Sequence, residues 1–271
     1  MRIYENIMNI SLLRNNICFI SAIALFNTLI FAPNSYADNI TIEIKRTSNL
    51  PIHAYENKSS DANIIAIIGG KGLKNKHGKS RNFLVRVKEK FKNHRINYYL
   101  LPNFNKREKA SYKFRVSAER IERILALIEA VEKRNNKPIF IAGFSRGSVD
   151  AGKFVKIYPE RISGVILASG IYTNLSRKAE FYSMQIIIGE SVQVPTLIVH
   201  HTNDNCIATP FNFAKKFYNR LNAPSKMFLA YSDGLTNGGE CGPFHHHGFE
   251  GLEKKVADDI ASWIRSTSKT E

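Results

Sequence analysis

Acidic residues are scarce in this chain of 271 residues: 23 Asp and Glu face 39 Lys and Arg, for a formal net charge of +16. Such a field favours anionic surfaces, lipid headgroups or envelope polymers among them. An anionic envelope surface is therefore one candidate partner, and a solvated lysine-rich exterior is the plain alternative. No nucleic-acid motif or stacking platform accompanies the basic residues, so no nucleic-acid partner is expected. Internal repeats and low-complexity tracts are absent, which removes solenoid and linker architectures. The apolar run from Ile17 to Ala32 falls short of the roughly 20 residues that span a bilayer comfortably. Cysteine is down to three, too few for a disulfide-built scaffold. What remains is an ordinary 44% hydrophobic content, enough for one sizeable core.

The short apolar run has a positive flank at Arg14 and ends in Ser35-Tyr36-Ala37, whose small residues suit export-peptidase cleavage. The expectation is a signal peptide over 1–37, a mature chain from Asp38, and a periplasmic or secreted protein. An N-terminal membrane anchor is the alternative. Removing the leader takes away Cys18 and leaves Cys206 and Cys241. An even pair in an oxidising compartment reads as a disulfide. In the chain-entropy view it would stabilise by about 4 kcal/mol.

Beyond the leader, strand and helix patterns alternate. "NITIEIKR" and "PIHAYE" read as strands, and "NIIAIIGG" as a strand buried on both faces. "FLVRVKEKFKNH" has helical spacing, with Phe83, Leu84, Val87 and Phe91 on one face. After the strand "INYYLLPN", "SAERIERILALIEAVEKRNN" is a helix capped by Ser117. The second half runs "PIFIAGF" strand, "SRGSVDAGKFVKIYPE" helix, "ISGVILASG" strand, "VPTLIVHH" strand, "FNFAKKFYNRL" helix, "KMFLAYS" strand and "FEGLEKKVADDIASWIRS" helix. This order implies an α/β fold: a mainly parallel sheet covered on both sides. Ile171 to Val194 is the one candidate insertion, long enough for a minimal lid. Its Phe181, Tyr182 and Met184 are candidates for an acyl pocket or for core. Trp263 is read as core.

Gly143-Phe144-Ser145-Arg146-Gly147 joins a strand to a helix. G-x-S-x-G recurs by chance in roughly one chain in ten of this length, so its context matters. A serine on a sharp strand-to-helix turn adopts strained angles, and its neighbours two residues away must be tiny. Gly143 and Gly147 meet that need. A serine hydroxyl needs a base to take its proton, and the base needs a carboxylate to orient it. Asp204 stands just beyond the strand "VPTLIVHH", and three histidines, His245 to His247, stand before the last helix. His77, His200 and His201 have no evident partner and are read as structural or surface residues.

On "GFSRGS", "VPTLIVHHTNDNC" and "HHHGFEGLEKKVADDIASWI", residues 38–271 resemble the α/β-hydrolase superfamily. The resemblance implies Ser145 as nucleophile, Asp204 as orienting acid and His247 as general acid and base, with His245 and His246 as substitutes. It implies a serine hydrolase of the carboxylic-ester type acting on a small-molecule ester or other acyl substrate. Peptidase, amidase and acyltransferase activities share that machinery, and a non-catalytic binding protein of the cell envelope is the reading from another class. No cofactor or metal is called for.

"IIAIIGGKGLKNKHGKSR", residues 64–81, invites a phosphate-loop reading. Gly78-Lys79-Ser80 is present, but the required spacing puts the first glycine at Leu73, and Gly72 is one residue too early. The better fit is an oxyanion loop, with the backbone amides of Gly70 or Lys71 joined by that of Arg146. Cys206 and Cys241 flank the acid and histidine segments, so their bridge would pin one to the other. Their use as zinc ligands with the histidines is the weaker alternative.

Overall fold

β-branched residues build the centre of the sheet. The computed structural model describes residues 39–44 and 46–269; the leader, Cys18 and the site before Asp38 lie outside them. The strands are β1 (Asn39–Ile42), β2 (Ile52–Tyr55), β3 (Ala62–Ile67), β4 (Ile96–Leu100), β5 (Ile139–Phe144), β6 (Gly164–Ala168), β7 (Thr196–His201) and β8 (Lys226–Tyr231). They lie in the order β1-β2-β4-β3-β5-β6-β7-β8. β1 and β2 are antiparallel to their neighbours, and every pair from β4 to β8 is parallel.

The helices are α1 (Phe83–Arg86), α2 (Lys88–Asn93), α3 (Tyr112–Arg115), α4 (Ala118–Arg134), α5 (Gly147–Ile157), α6 (Met184–Ile187), α7 (Phe211–Arg220) and α8 (Glu253–Thr267). Successive side chains of a strand point to opposite faces, and β3 shows the consequence. Ile65 and Ile67 join a core with Ile124 and Leu127 of α4, Phe154 of α5 and Phe217 of α7. Ile64 and Ala66 join the core on the other side, with Phe83 and Phe91 from α1 and α2 and Ile260 and Trp263 from α8. Helices therefore cover both faces, as the alternating pattern implies. Each fully buried Ile contributes roughly 1.5–3 kcal/mol of transfer free energy.

Two differences from the sequence reading have local causes. "FLVRVKEKFKNH" is two short helices, because Val87 leaves helical geometry at φ −95°, ψ −4°. Phe83, Leu84, Val87 and Phe91 are still all buried in one core. α3 and α6 have four residues each, less than the window in which a helical period can be read. Ser117 does cap α4, its side chain accepting from the Arg120 amide. Among the described residues no helix is long and apolar enough to cross a membrane.

The junction of β3, β5 and α5 is packed backbone to backbone. A Cβ on Gly147 would lie 2.0 Å from the Ile67 carbonyl oxygen, and one on Gly143 would lie 2.5 Å from the Gly147 carbonyl oxygen. Neither neighbour is a side chain that can swing away. Gly147→Ala is expected to cost about 3 kcal/mol or more, at the upper end of overpacking. Urea unfolding followed by circular dichroism checks it; a loss below about 1 kcal/mol would show that the junction gives way.

Candidate active site

Ser145 occupies the turn between β5 and α5, with φ +53°. For a residue with a side chain this left-handed geometry costs about 1–3 kcal/mol and persists only where the surroundings impose it. Here the Ser145 amide donates to the Ala168 carbonyl at 2.9 Å, and the Ser145 carbonyl accepts from the Ser148 amide at 3.0 Å. The Ser148 hydroxyl donates to the same carbonyl at 2.7 Å. Those bonds fix the turn from both sides.

Asp204 and His247 meet across the end of the sheet. Asp204 lies in the loop after β7, and His247 lies in the 3-10 turn His246–Gly248 before α8. His247 Nδ1 is 3.0 Å from Asp204 Oδ2. A carboxylate only accepts, so the Nδ1–H donates and Nε2 keeps its lone pair. The Thr209 hydroxyl donates to the same carboxylate oxygen at 2.9 Å, and the Cys206 amide donates to Oδ1 at 3.0 Å. Burial pushes the Asp204 carboxyl up, but the His247 imidazole and His200 outweigh burial and hold it well below the usual carboxylate range.

His200 is a correction to the sequence reading, which left it without a partner. Its Nε2 lies 2.7 Å from the Thr209 carbonyl oxygen and 3.3 Å from Asp204 Oδ2. A carbonyl only accepts, so Nε2 carries the proton. Histidine at 200 and threonine at 209 thus complete the surroundings of Asp204. The short separation from Asp204 was the signal available in the sequence. His201 is also engaged, with its ring stacked on His246 at 4.1 Å. Of the three consecutive histidines, His247 is the one that reaches Asp204; His246 Nδ1 lies 3.2 Å from the Asn203 carbonyl.

Ser145 and His247 line one cavity of about 910 Å³. The Phe144 ring, next to Ser145, lies 5.2 Å from the His247 ring. The Ser145 hydroxyl makes no hydrogen bond to the His247 imidazole. Catalytic hydrogen bonds of this kind often tighten only when substrate is bound.

The histidine turn is held from three directions. Ser169 Oγ donates to the His247 carbonyl at 2.8 Å. Arg86 of α1 donates to the Pro243 carbonyl at 2.8 Å and to the Gly248 carbonyl at 2.5 Å, while its other nitrogen pairs with Glu250 and Glu253. Cys206 and Cys241 form a disulfide across 35 positions of chain, joining the acid loop to the histidine segment.

The Gly69–Gly72 loop lies against the turn: a Cβ on Gly69 would be 2.8 Å from Ser145 Cβ and 3.2 Å from the Arg146 nitrogen. Arg115 of α3, fully buried, donates to the carbonyls of Ile68 at 3.2 Å and Gly70 at 3.3 Å. In a planar trans peptide the C=O and the next N–H point opposite ways. Arg115 therefore turns the Lys71 amide away from the core. Asp150 of α5 pairs with both Arg115 and Arg120, so one buried carboxylate links the helix behind Ser145 to the loop. Nothing in the sequence marks these residues as partners.

The acyl-pocket candidates fall elsewhere. Met184 is fully buried in the core and Phe181 is 66% exposed, while Tyr182 stacks on Tyr112 at 5.4 Å. None lines the cavity; its apolar wall comes from Ile171, Leu175, Ile207 and Ala208. Asp204, Cys206 and His247 bring potential metal-binding atoms within 4.8 Å of one another. The Cys206 sulfur is committed to the disulfide, however, and offers no thiolate.

A mainly parallel sheet with a serine on a strand–turn–helix elbow defines the α/β-hydrolase class. The phospholipase/carboxylesterase family profile matches residues 98–231. No curated protein sequence matches the chain significantly. Est1E from Butyrivibrio proteoclasticus is 14% identical, with a TM-score of 0.61 over 85% of this chain and 99% of that one. An alpha-beta serine hydrolase homologue from Coxiella burnetii is 16% identical, with a TM-score of 0.57 over 84% of this chain and 97% of that one. The Pyrococcus furiosus esterase Pf2001 is 13% identical, with a TM-score of 0.60 over 86% of this chain and 93% of that one. The chain has the α/β-hydrolase fold.

Two outcomes follow from these contacts. Replacing Cys206 and Cys241 together by Ser is expected to lower stability by about 4 kcal/mol, read by denaturant unfolding; an unchanged midpoint would mean that the bridge does not constrain the chain. Asp204 is depressed in the folded state, so its ionised form stabilises the fold above the unfolded value of about 3.9. That stability fades as pH falls toward the folded value. Thermal melts between about pH 5 and pH 2 should therefore fall more steeply for the native protein than for Asp204→Asn. Equal slopes would remove the ionised Asp204.

Proposed function

We propose that the protein is a serine hydrolase of carboxylic esters that forms an acyl-enzyme on Ser145. The observation that carries this is the buried Asp204–His247 pair at the cavity that the strained elbow serine also lines. His247 Nε2, left free by the Nδ1 bond to Asp204, takes the Ser145 proton as Oγ attacks the ester carbonyl. The carbonyl oxygen becomes an oxyanion facing the amides of Arg146 and of Lys71 or Gly70. Among the described residues these three amides donate to no protein acceptor, and Arg115 supports the Lys71 orientation. Each such donor contributes roughly 3–4 kcal/mol to the transition state. The tetrahedral species then collapses: the ester C–O bond breaks and His247 returns the proton to the departing alcohol. Water, deprotonated by the same imidazole, releases the acid and restores Ser145.

The phospholipase/carboxylesterase match and the esterase neighbours favour esters over amides. The disulfide is compatible with an oxidising compartment, and we place the protein in the periplasm or outside the cell on that basis, with the leader read over 1–37.

A fluorophosphonate probe tests the reaction class. The folded protein should label stoichiometrically, and Ser145→Ala should not label. The same variant should lose at least about a thousandfold of kcat/KM on para-nitrophenyl butyrate. Labelling that survives in Ser145→Ala, or none in the native protein, would leave the non-catalytic reading in its place.

A further inference from the structure

The cavity over Ser145 is lined by five cations, Lys71, Arg81, Arg146, Arg177 and Lys178, and by no Asp or Glu. They come from separate parts of the chain: the Gly69–Gly72 loop, the approach to α1, the elbow, and the short 3-10 turn Arg177–Ala179 between β6 and α6. Among the described residues, none of the five forms an ion pair with a carboxylate. Elsewhere most described arginines hold an acid, namely Arg46, Arg86, Arg95, Arg115, Arg120, Arg123, Arg134 and Arg161, while Arg107, Arg220 and Arg265 do not. The shortage of acids explains unpaired bases on an open surface. It does not explain why cations from four segments converge on the one cavity that holds the elbow serine.

Arg146 is the decisive member. It follows Ser145 directly and is half-buried, and its guanidinium lies over the Tyr112 ring at 5.1 Å. Tyr112 is in turn stacked on Tyr182 at 5.4 Å. The guanidinium is thus held beside the nucleophile by Tyr112, through its ring and its phenol oxygen, and pairs with no carboxylate among the described residues. A planar guanidinium of this kind suits two-point recognition of carboxylate or phosphate. Ile171, Leu175, Ile207 and Ala208 add apolar lining to the same cavity.

We propose that the substrate is an ester that carries a carboxylate or phosphate beside a short apolar acyl part, with Arg146, Arg177 and Lys178 receiving the anion. This rests on the serine-hydrolase reading and narrows it to a substrate class. A neutral ester fills the apolar wall alone and leaves the cations to water.

Matched esters test it. One pair puts the charge on the acyl side: mono-para-nitrophenyl adipate against para-nitrophenyl hexanoate. The other puts it on the leaving group: para-butanoyloxybenzoate against its methyl ester. In at least one pair the charged member should have the higher kcat/KM, by about tenfold at low ionic strength, mostly through KM. The advantage should shrink with added salt. Arg146→Gln and the double change Arg177→Gln with Lys178→Gln should each bring the ratio toward one. Neutral esters cleaved as well as or better than charged ones in both pairs, by protein that labels at Ser145, would overturn the substrate class and leave the hydrolase intact. Failure to cleave any ester would count against the hydrolase reading instead. Binding then decides the anion site independently: calorimetry with adipate, and with inorganic phosphate, on Ser145→Ala. Saturable binding of either that is lost with the Arg177 and Lys178 changes supports the site, and absence of both overturns it.

Discussion

The carbonyl of Ile67 and the backbone of Gly147 touch where β3 meets the start of α5, with no room for a side chain between them. That contact sets the distance between two things the proposed chemistry needs side by side. One is the turn that carries Ser145; the other is the Gly69–Gly72 loop that runs on from β3. Were the gap wider by the width of a methyl group, the loop amides would no longer share a small volume with the serine oxygen. The two glycines of the elbow motif are thus a statement about β3 as much as about the serine. β3 itself can come so close because it is buried on both faces and held by parallel partners on each side.

The same junction is braced by charge. Asp150 lies one helical turn into α5 and bonds to guanidiniums from α3 and α4. One of those guanidiniums, Arg115, also holds two carbonyls of the loop. Removing one partner from such a buried set costs about 3–5 kcal/mol, because an unpaired charge stays behind. The network leaves one guanidinium charge in excess of its carboxylate, close beneath the loop proposed to face an oxyanion. A positive field there has the sign that stabilises the charge that would develop during acyl transfer.

Much of this was legible in the sequence, for physical reasons that differ by feature. The sheet was readable because β3, β5, β6 and β7 are continuous apolar runs, the mark of strands covered on both sides. Ser145 was readable because the elbow demands glycines at fixed offsets from it, whichever element packs against them. Asp204 and His247 could be placed only through the resemblance, since nothing local shows that residues 43 positions apart meet at 3.0 Å. Arg86, Arg115 and Asp150 were not legible. Each acts through partners brought together by the tertiary fold, and a lone charged residue in a helix carries no mark of what it will face. Pocket and core could not be told apart for Phe181, Tyr182 and Met184, because apolar residues in an insertion fit either. Burial instead drew Met184 into the core and turned Tyr182 onto Tyr112.

These two kinds of feature divide the site. In the proposed mechanism, what handles the proton and the acyl group sits on the sheet ends and the helices packed on them, fixed by backbone contact, the disulfide and buried ion pairs. What faces the rest of a substrate comes largely from the loops over the cavity, where Leu175, Arg177, Lys178 and Ile207 have little packing to satisfy. Substitutions there alter charge and shape at the mouth without touching the junction of β3, β5 and α5. Selectivity can therefore change in this scaffold without loss of fold, and a cluster of unpaired cations at such a mouth costs little stability. Among the described residues the cluster joins no ion pair, which leaves the proposed anionic substrate as its use.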